Sequence, residues 1–261
     1  HAASSRSGAN PLLAPSDASS TTAANGSQQS IPAATTTLVN GMRPKHLAIE
    51  LSKLQPHPCR SVELEQYATE GDLAAYWMLG VDQLDSVEGK HVVDLAAGNG
   101  ILGLATMFLG ASKVTLIEAD EQAVEVALKN IQRAEDKTGG SAKAIHAMVG
   151  KDTIELDEAI DVVVMNPPWG VQTTRADRPL LDFAFSLGAE SVHILHSAKA
   201  KHVQAIASDH GYHGEIMLET EFRLPPTYAH HSKGKASTAV RCWRFHRPGD
   251  AKLIDDENQE A

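Results

Sequence analysis

The order of apolar and polar residues along this chain predicts seven strands separated by helices. Short apolar runs rich in β-branched residues, typical of buried strands, cover residues 90–95, 114–117, 144–148, 161–165, 191–195, 215–222 and 239–245. Helical patterns cover residues 43–54, 71–84, 101–109, 121–134 and 198–210, and another helix begins at 182. This alternation predicts a single α/β domain with a doubly wound, Rossmann-like, mostly parallel sheet. Because the last two strands lie close in sequence, an antiparallel pair is expected at one edge.

Glycine and acidic residues mark the ends of the first two strands, where such a sheet binds its ligand. The first strand carries Asp94 and runs into the turn Ala96-Ala-Gly98-Asn-Gly100 ahead of a helix. The glycines allow a ligand to approach the backbone at the helix N-terminus. Glu118 ends the second strand about twenty residues later, a spacing that suits two ribose hydroxyls. Since Gly103 completes a dinucleotide fingerprint, this turn alone leaves a nicotinamide cofactor open.

The stretch from Asp161 to Gly170 is the most informative in the chain. Its strand is stopped by Asn166-Pro167-Pro168-Trp169, because prolines cannot donate to a ladder and restrict the backbone. The Asn166 side-chain oxygen and the Pro167 carbonyl can accept both hydrogens of a planar amine, and Trp169 can stack on its ring. A hydride-transfer enzyme has no need of this elbow, so it favours S-adenosylmethionine as the cofactor.

Composition limits the remaining possibilities. Residues 1–41 are a low-complexity segment and residues 248–261 an acidic tail with five carboxylates and one lysine, and both are predicted to be disordered. The globular domain is expected at 42–247. The net charge of -10 requires any nucleic-acid contact to come from a local patch. The densest basic region, residues 223–244, holds the loop Tyr228–Lys235 with Arg223, Arg241 and Arg244. It suits single-stranded RNA, although a solvated loop is the alternative.

Cysteine and histidine usage argues against disulfides and metal. Cys59 and Cys242 are too few for a disulfide framework or a zinc site, which fits a reducing compartment such as the cytoplasm. His230 and His231 lack spaced partners, so no metal ligand is assigned. No apolar run approaches the ~20 residues of a membrane span.

Ahead of the second helix, Thr69 is expected as its N-cap with Asp72 in the capping-box position.

Taken together, Asp94…Gly98-Asn-Gly100, Glu118-Ala-Asp120 and Asn166–Trp169 resemble class I S-adenosylmethionine-dependent methyltransferases that act on amino groups. More stretches resemble the methyltransferase-like protein 5 family and its archaeal relatives, which are ribosomal-RNA adenine N6-methyltransferases. These stretches are Leu64–Thr69, Pro168–Gln172, Ala176–Pro179, Val192–His196 and Phe222–Tyr228. The resemblance covers about Arg43 to Phe245.

This resemblance implies a set of site residues and partners. Cofactor contacts are implied for Gln66, Tyr67, Thr69, Asp94, Gly98, Gly100, Leu102, Glu118, Ala119, Met148, Val149 and Asn166. The residues implied to hold a flipped adenine are Asn166, Pro167, Pro168 and Trp169. A small zinc-binding activator subunit is implied to dock along a sheet edge. The chain departs from the family in its Ala-Ala-Gly-Asn-Gly turn, in Glu118 for Asp, in Met148-Val149 for an acidic residue and in Trp169 for Phe.

The expected function is methyl transfer from S-adenosylmethionine to the N6 amine of an adenosine in RNA, with ribosomal RNA as the expected substrate. Two alternatives stay open. A protein glutamine amide presents the same planar amine to the Asn166 elbow. An RNA-binding module with a decayed cofactor pocket would explain the altered glycine turn, although Asp94, Glu118 and Asn166 together argue against it.

Overall fold

The computed structural model describes residues 42–58, 68–156, 158–169, 175–223 and 237–253. These residues form six helices and seven strands. In chain order they are α1 Pro44–Leu51, α2 Gly71–Asp85, β1 His91–Leu95, α3 Ile101–Phe108, β2 Lys113–Glu118, α4 Glu121–Thr138, β3 Ser141–His146, β4 Val162–Met165, α5 Arg178–Ser186, β5 Ser191–Ser197, α6 His202–Asp209, β6 His213–Arg223 and β7 Ser237–His246.

The strands form one sheet in the order β3-β2-β1-β4-β5-β7-β6. Neighbours from β3 to β5 pair in parallel, whereas β7 pairs antiparallel with both β5 and β6. The predicted doubly wound fold with an antiparallel edge is therefore confirmed. The strand order reverses between β1 and β4, and the site predicted at the carboxyl ends of the strands lies beside this switch point.

Two apolar cores cover the two faces of the sheet. Successive strand residues point to opposite faces, so Val92 and Val164 join the core against α1, α2, α3 and α4, while Val93 and Met165 join the core against α5 and α6. Because both faces are covered, β1 and β4 are buried along their whole length. This explains why both strands appear in the sequence as continuous apolar runs.

Several predicted boundaries shift in the structure. Helix α4 continues to Thr138, beyond its predicted end at 134, and ends at Gly139 in the left-handed conformation. Strand β3 covers 141–146 instead of 144–148, because its hydrogen-bonded register with β2 begins where Ser141 pairs with Lys113. Helix α6 begins at His202, four residues later than predicted. In the described ranges no helix has both the length and the apolar character of a membrane span.

Arg244 is the clearest departure from the predicted basic region. Its side chain is completely buried and donates to Asp85 at 2.8 and 2.9 Å and to Glu215 at 2.8 Å. Burial alone would raise the pKa of Asp85, but hydrogen bonds from His193 and Arg244 hold it far below its usual value. The prediction that Arg244 contributes to an RNA surface is wrong, because this guanidinium joins α2 to β6 and β7 inside the protein.

Of the other predicted RNA contacts, one arginine forms an ion pair on the sheet and the rest lie outside the described residues. Arg241 pairs with Glu219 at 2.8 Å on the exposed face of β7. The loop Tyr228–Lys235 and the side chain of Arg223 lie outside the described residues. RNA binding by that loop therefore stays a prediction.

Candidate active site

A cavity of about 530 Å³ opens where β1, β2 and β4 end. Ten of the predicted site residues line it: Thr69, Asp94, Gly98, Leu102, Glu118, Ala119, Met148, Val149, Asn166 and Pro168. Gly100, Pro167 and Trp169 are absent from this lining, and Gln66 and Tyr67 lie outside the described residues. The fold thus brings together segments that are almost one hundred residues apart in sequence.

The turn after β1 is held open by two carboxylates. The Gly98 amide donates to Glu118 Oε2 at 2.7 Å, and the Gly103 amide donates to Asp94 Oδ2 at 2.7 Å. Gly98 and Gly100 both have positive φ, at 56° and 83°, a conformation that favours glycine. A Cβ on Gly100 would lie 2.7 Å from Leu116 Cδ1, so this glycine also provides room for packing beneath the turn.

Burial raises the pKa of both carboxylates. Desolvation raises the pKa of Asp94 to about 8, a shift that the Gly103 amide opposes. Burial also raises the pKa of Glu118, although backbone amides of Asp120, Gly98 and Ala119 donate to it. Asp94 Oδ1 is buried and, within the described ranges, has no hydrogen-bond partner. Such an atom is costly to leave unpaired, so it identifies a position where the protein can accept a donor from a ligand.

Asn166 provides a second unpaired acceptor at the end of β4. Its side-chain amide donates to Thr69 Oγ1 at 3.2 Å, while its Oδ1 is buried and has no hydrogen-bond partner among the residues that the structure describes. This contact also corrects the expected N-cap of α2, since the cap residue is Glu70 and makes no side-chain cap bond. The Thr69 hydroxyl instead orients the Asn166 amide, which leaves the acceptor oxygen available.

Trp169 packs beside the pocket among other rings. Its ring meets Phe222 edge-on, with centroids 5.2 Å apart, and lies 6.3 Å from the ring of His196. The partly buried Trp169 therefore joins the elbow to β5 and β6. Its predicted stacking on a substrate base stays a prediction.

A hydrogen-bonded cluster that sequence reasoning did not assign lies behind Trp169. Asp177 Oδ2 accepts from His196 Nε2 at 3.0 Å and from His202 Nε2 in a shorter contact. Burial would raise the pKa of Asp177, but the two imidazoles lower it. The three ligand atoms lie within 4.8 Å of one another, so among the described residues this is a group that could hold a metal ion. Three separate elements supply these residues, so no local spacing in the sequence could reveal the cluster.

His57 is a pocket residue that the sequence patterns also missed. It lines the cavity, and a Cβ built on Gly98 would lie 2.4 Å from His57 Cδ2. The preceding Gln55 donates its amide to Asn130 Oδ1 at 2.7 Å, and its carbonyl accepts from Asn99 at 2.9 Å. These bonds hold the segment against the glycine turn. Burial lowers the pKa of His57, which favours the neutral imidazole.

Comparison with known proteins identifies this pocket. The family model described as "Methyltransferase small domain" matches residues 72–192, from α2 into β5. A solved structure from Pyrococcus horikoshii, described as a candidate RNA methyltransferase, is 34% identical with a TM-score of 0.68 and covers 79% of this chain and 98% of its own. The chain belongs to this methyltransferase family. Membership excludes a nicotinamide cofactor at the glycine turn and indicates S-adenosylmethionine instead.

Relatives of this methyltransferase differ in how much of it they match. The rRNA N(6)-adenosine-methyltransferase Mettl5 of Drosophila melanogaster is 29% identical over 70% of this chain and 86% of its own length. The ribosomal protein L11 methyltransferase of Aeromonas hydrophila is 38% identical, but over 94 residues, which are 36% of this chain and 29% of that protein. The adenosine methyltransferase therefore matches about twice as much of this chain as the protein methyltransferase does.

Proposed function

We propose that this enzyme transfers a methyl group from S-adenosylmethionine to the N6 amine of an adenosine in RNA, with ribosomal RNA as the substrate. The observation that carries the proposal is the buried, unpaired Oδ1 of Asn166 at the edge of the cavity. An acceptor held in this way suits a donor that carries hydrogens, such as an exocyclic amine. The match to an adenosine methyltransferase over 70% of this chain supports the same choice.

The residues of the elbow account for activation of the amine. The lone pair of adenine N6 is delocalised into the ring, which makes this nitrogen a poor nucleophile. Acceptance of its two hydrogens by Asn166 Oδ1 and the Pro167 carbonyl favours a tetrahedral nitrogen, where the lone pair is localised. Thr69 holds the Asn166 amide in the required orientation through the 3.2 Å hydrogen bond. Orientation of the reacting groups contributes much of the rate.

The pocket residues fit the cofactor by their chemistry. S-adenosylmethionine supplies a methyl group on a positively charged sulfonium and also carries an ammonium group. The unpaired Oδ1 of Asp94 suits a cationic donor, and Glu118 at the end of β2 suits ribose hydroxyls. Met148 and Val149 offer apolar contacts for the purine ring. No strong base is required, because the proton on the product nitrogen can leave after attack.

Methylation of a glutamine amide in a protein is the rival reaction. Transfer of labelled methyl groups to ribosomal RNA and to ribosomal proteins, followed by digestion to nucleosides and amino acids, separates the two. We expect label in N6-methyladenosine. Label in methylglutamine would overturn the RNA proposal, and failure to bind S-adenosylmethionine would instead favour an RNA-binding module.

The proposal includes a small zinc-binding activator subunit and a reducing compartment such as the cytoplasm. Strand β3 lies at one edge of the sheet and is partly exposed along its length. Its outward backbone groups can pair with a strand of another protein, except for the Ala142 amide, which donates to Glu135 Oε1 at 2.9 Å. The buried, free thiol of Cys242 fits a reducing compartment. Calorimetry of S-adenosylmethionine binding with and without the subunit tests the activator, which is expected to increase the affinity. Equal affinity and equal stability in both conditions would exclude it.

A further inference from the structure

We propose that the RNA backbone binds a cationic rim beside the pocket, formed by Arg175, Arg178, Lys199 and Lys201. The inference rests on the proposed RNA substrate and specifies where this enzyme binds the RNA backbone. It differs from the basic region at 223–244, which the sequence pattern favoured. The rim combines two turns, one ahead of α5 and one ahead of α6.

A buried carboxylate holds these two turns together. Asp177 lies between Arg175 and Arg178, and its Oδ2 accepts from His202, the first residue of α6 after Lys201. The amide of Ala198 donates to Ala239 on β7 at 2.9 Å, which fixes the beginning of the second turn. The four cations therefore extend from an anchored scaffold, which reduces the ordering cost of binding a phosphate backbone.

The rim is adjacent to the place where the base must enter. Ala176, Pro179 and Leu180 line the pocket, so the first turn forms part of its wall. His196, which shares Asp177 with His202, packs against the Trp169 ring. An adenosine extruded into the pocket would carry its flanking phosphates past these turns, because extrusion rotates the nucleotide about its backbone.

The charges of the rim are available for a partner. All four side chains are exposed, and Arg175, Lys199 and Lys201 have no carboxylate within 4.0 Å among the residues that the structure describes. Arg178 is 3.6 Å from Asp182, a pair that is half exposed on both sides. Asp177, the carboxylate inside the rim, is buried between two imidazoles. In a chain of net charge -10, this is the kind of local patch that an RNA contact requires.

The opposite side of the pocket has the reverse charge, which gives the RNA one direction of approach. Asp120 and Glu121 carry that charge at the start of α4, directly after Glu118 in the pocket wall. Phosphates are repelled from that side and attracted to the rim. Arginine forks and lysine ammonium groups bind phosphate oxygens, whatever the base sequence.

The test compares two triple variants with the same loss of charge. The rim variant is Arg175→Ala/Lys199→Ala/Lys201→Ala. The control is Lys45→Ala/Lys129→Ala/Lys137→Ala, whose exposed lysines lie on α1 and α4 against the other face of the sheet. Fluorescence anisotropy with a ribosomal-RNA fragment, over a salt series, gives affinity and salt slope. Calorimetry with S-adenosylmethionine and thermal unfolding report on the pocket and on folding.

We expect the rim variant to lose about tenfold or more in RNA affinity and about two in salt slope, since each phosphate contact contributes about 0.7 to a single-strand slope. Cofactor affinity and melting temperature should stay unchanged. KM for the RNA should rise while kcat stays near the parent value, and Lys199→Arg/Lys201→Arg should retain binding. The control triple variant should bind RNA as the parent enzyme does.

An unchanged affinity and salt slope in the rim variant would overturn the proposal and place the RNA path elsewhere, such as residues 224–236. Equal losses in both triple variants would also overturn it, because they would show a general charge effect. Failure of the proposed function has a different result: the parent enzyme would methylate no RNA, while the anisotropy series would still measure rim binding.

Discussion

The two halves of the pocket are built in different ways. The half proposed to bind the cofactor, called the cofactor half, lies at the ends of β1 and β2. It consists of Asp94, the glycine turn and Glu118, which lie within 25 residues of one another. Backbone amides hold both carboxylates there, at 2.7 Å in each case. The half proposed to hold the methyl-accepting base, called the acceptor half, lies at the ends of β4 and β5. It is held in place by side chains from distant segments. Thr69 contacts Asn166 across 97 positions, and Trp169 packs on Phe222 and His196.

In the proposed function, this difference corresponds to two tasks: binding of the cofactor and binding of the substrate. Backbone amides provide a fixed polar surface that suits one cofactor in every reaction. Side chains from several elements can be replaced one by one, so the acceptor half can be adapted to a particular substrate.

The largest effect is expected from a change in the acceptor half that leaves the cofactor half intact. Asn166→Ala removes the unpaired acceptor, and we expect kcat to fall by about 10²–10³, as when one oriented polar group is removed from a transition state. S-adenosylmethionine affinity by calorimetry should change by less than about threefold. Full transfer activity in this variant would eliminate the proposed role of the elbow.

The next effect concerns protonation in the cofactor half. Because the pKa of Asp94 is about 8, binding of a cationic cofactor should release a proton at neutral pH, and affinity should rise by up to about a hundredfold from pH 6 to pH 8. Calorimetry in buffers of different ionisation enthalpy measures the proton release. Asp94→Asn should bind weakly and lose the pH dependence; an unchanged pH profile would mean that Asp94 does not contact the cofactor.

Protein stability should change with pH in the opposite sense. The folded protein keeps a proton on Asp94 up to about pH 8, whereas the ordinary pKa of this group is 3.8. The folded state thus binds more protons between these values, and its stability without cofactor falls as pH rises through this window. Asp94→Asn should remove this dependence and stabilise the free protein at pH 8 by on the order of a few kcal/mol, since each unit of pKa shift corresponds to about 1.4 kcal/mol. Urea unfolding at pH 5 and pH 8 measures both effects.

The smallest effect is expected where the two halves meet. Thr69→Val removes the hydroxyl that accepts from Asn166, so the amide loses its fixed orientation, and we expect kcat to fall about tenfold, about 1.4 kcal/mol, with a smaller change in cofactor affinity. Thr69→Ser keeps the hydroxyl and should restore most of the rate. A loss of affinity with no change in kcat would assign Thr69 to the cofactor alone.

The sequence predicted most of the fold, because the period of apolar residues follows directly from burial. Strands β1, β2 and β4 are largely buried and appear as apolar runs. The positions of Asp94, Glu118 and Asn166 follow from where these three runs end. Arg244 was assigned wrongly, because a cation that is buried by Asp85 and Glu215 looks the same in sequence as one on a basic surface. Local charge density does not report burial.

By itself the sequence determined which chemical groups follow the strands and in what order along the chain. They are a carboxylate, a glycine turn, an acidic strand end and an Asn-Pro-Pro-Trp elbow, and each is a local motif. Only the tertiary structure decided which distant residues complete the site. It brought Thr69 to Asn166, His57 to Gly98, and Asp177 to both His196 and His202. The physical reason is that short-range patterns record which face of an element is buried, whereas contacts across the sheet depend on how whole elements pack.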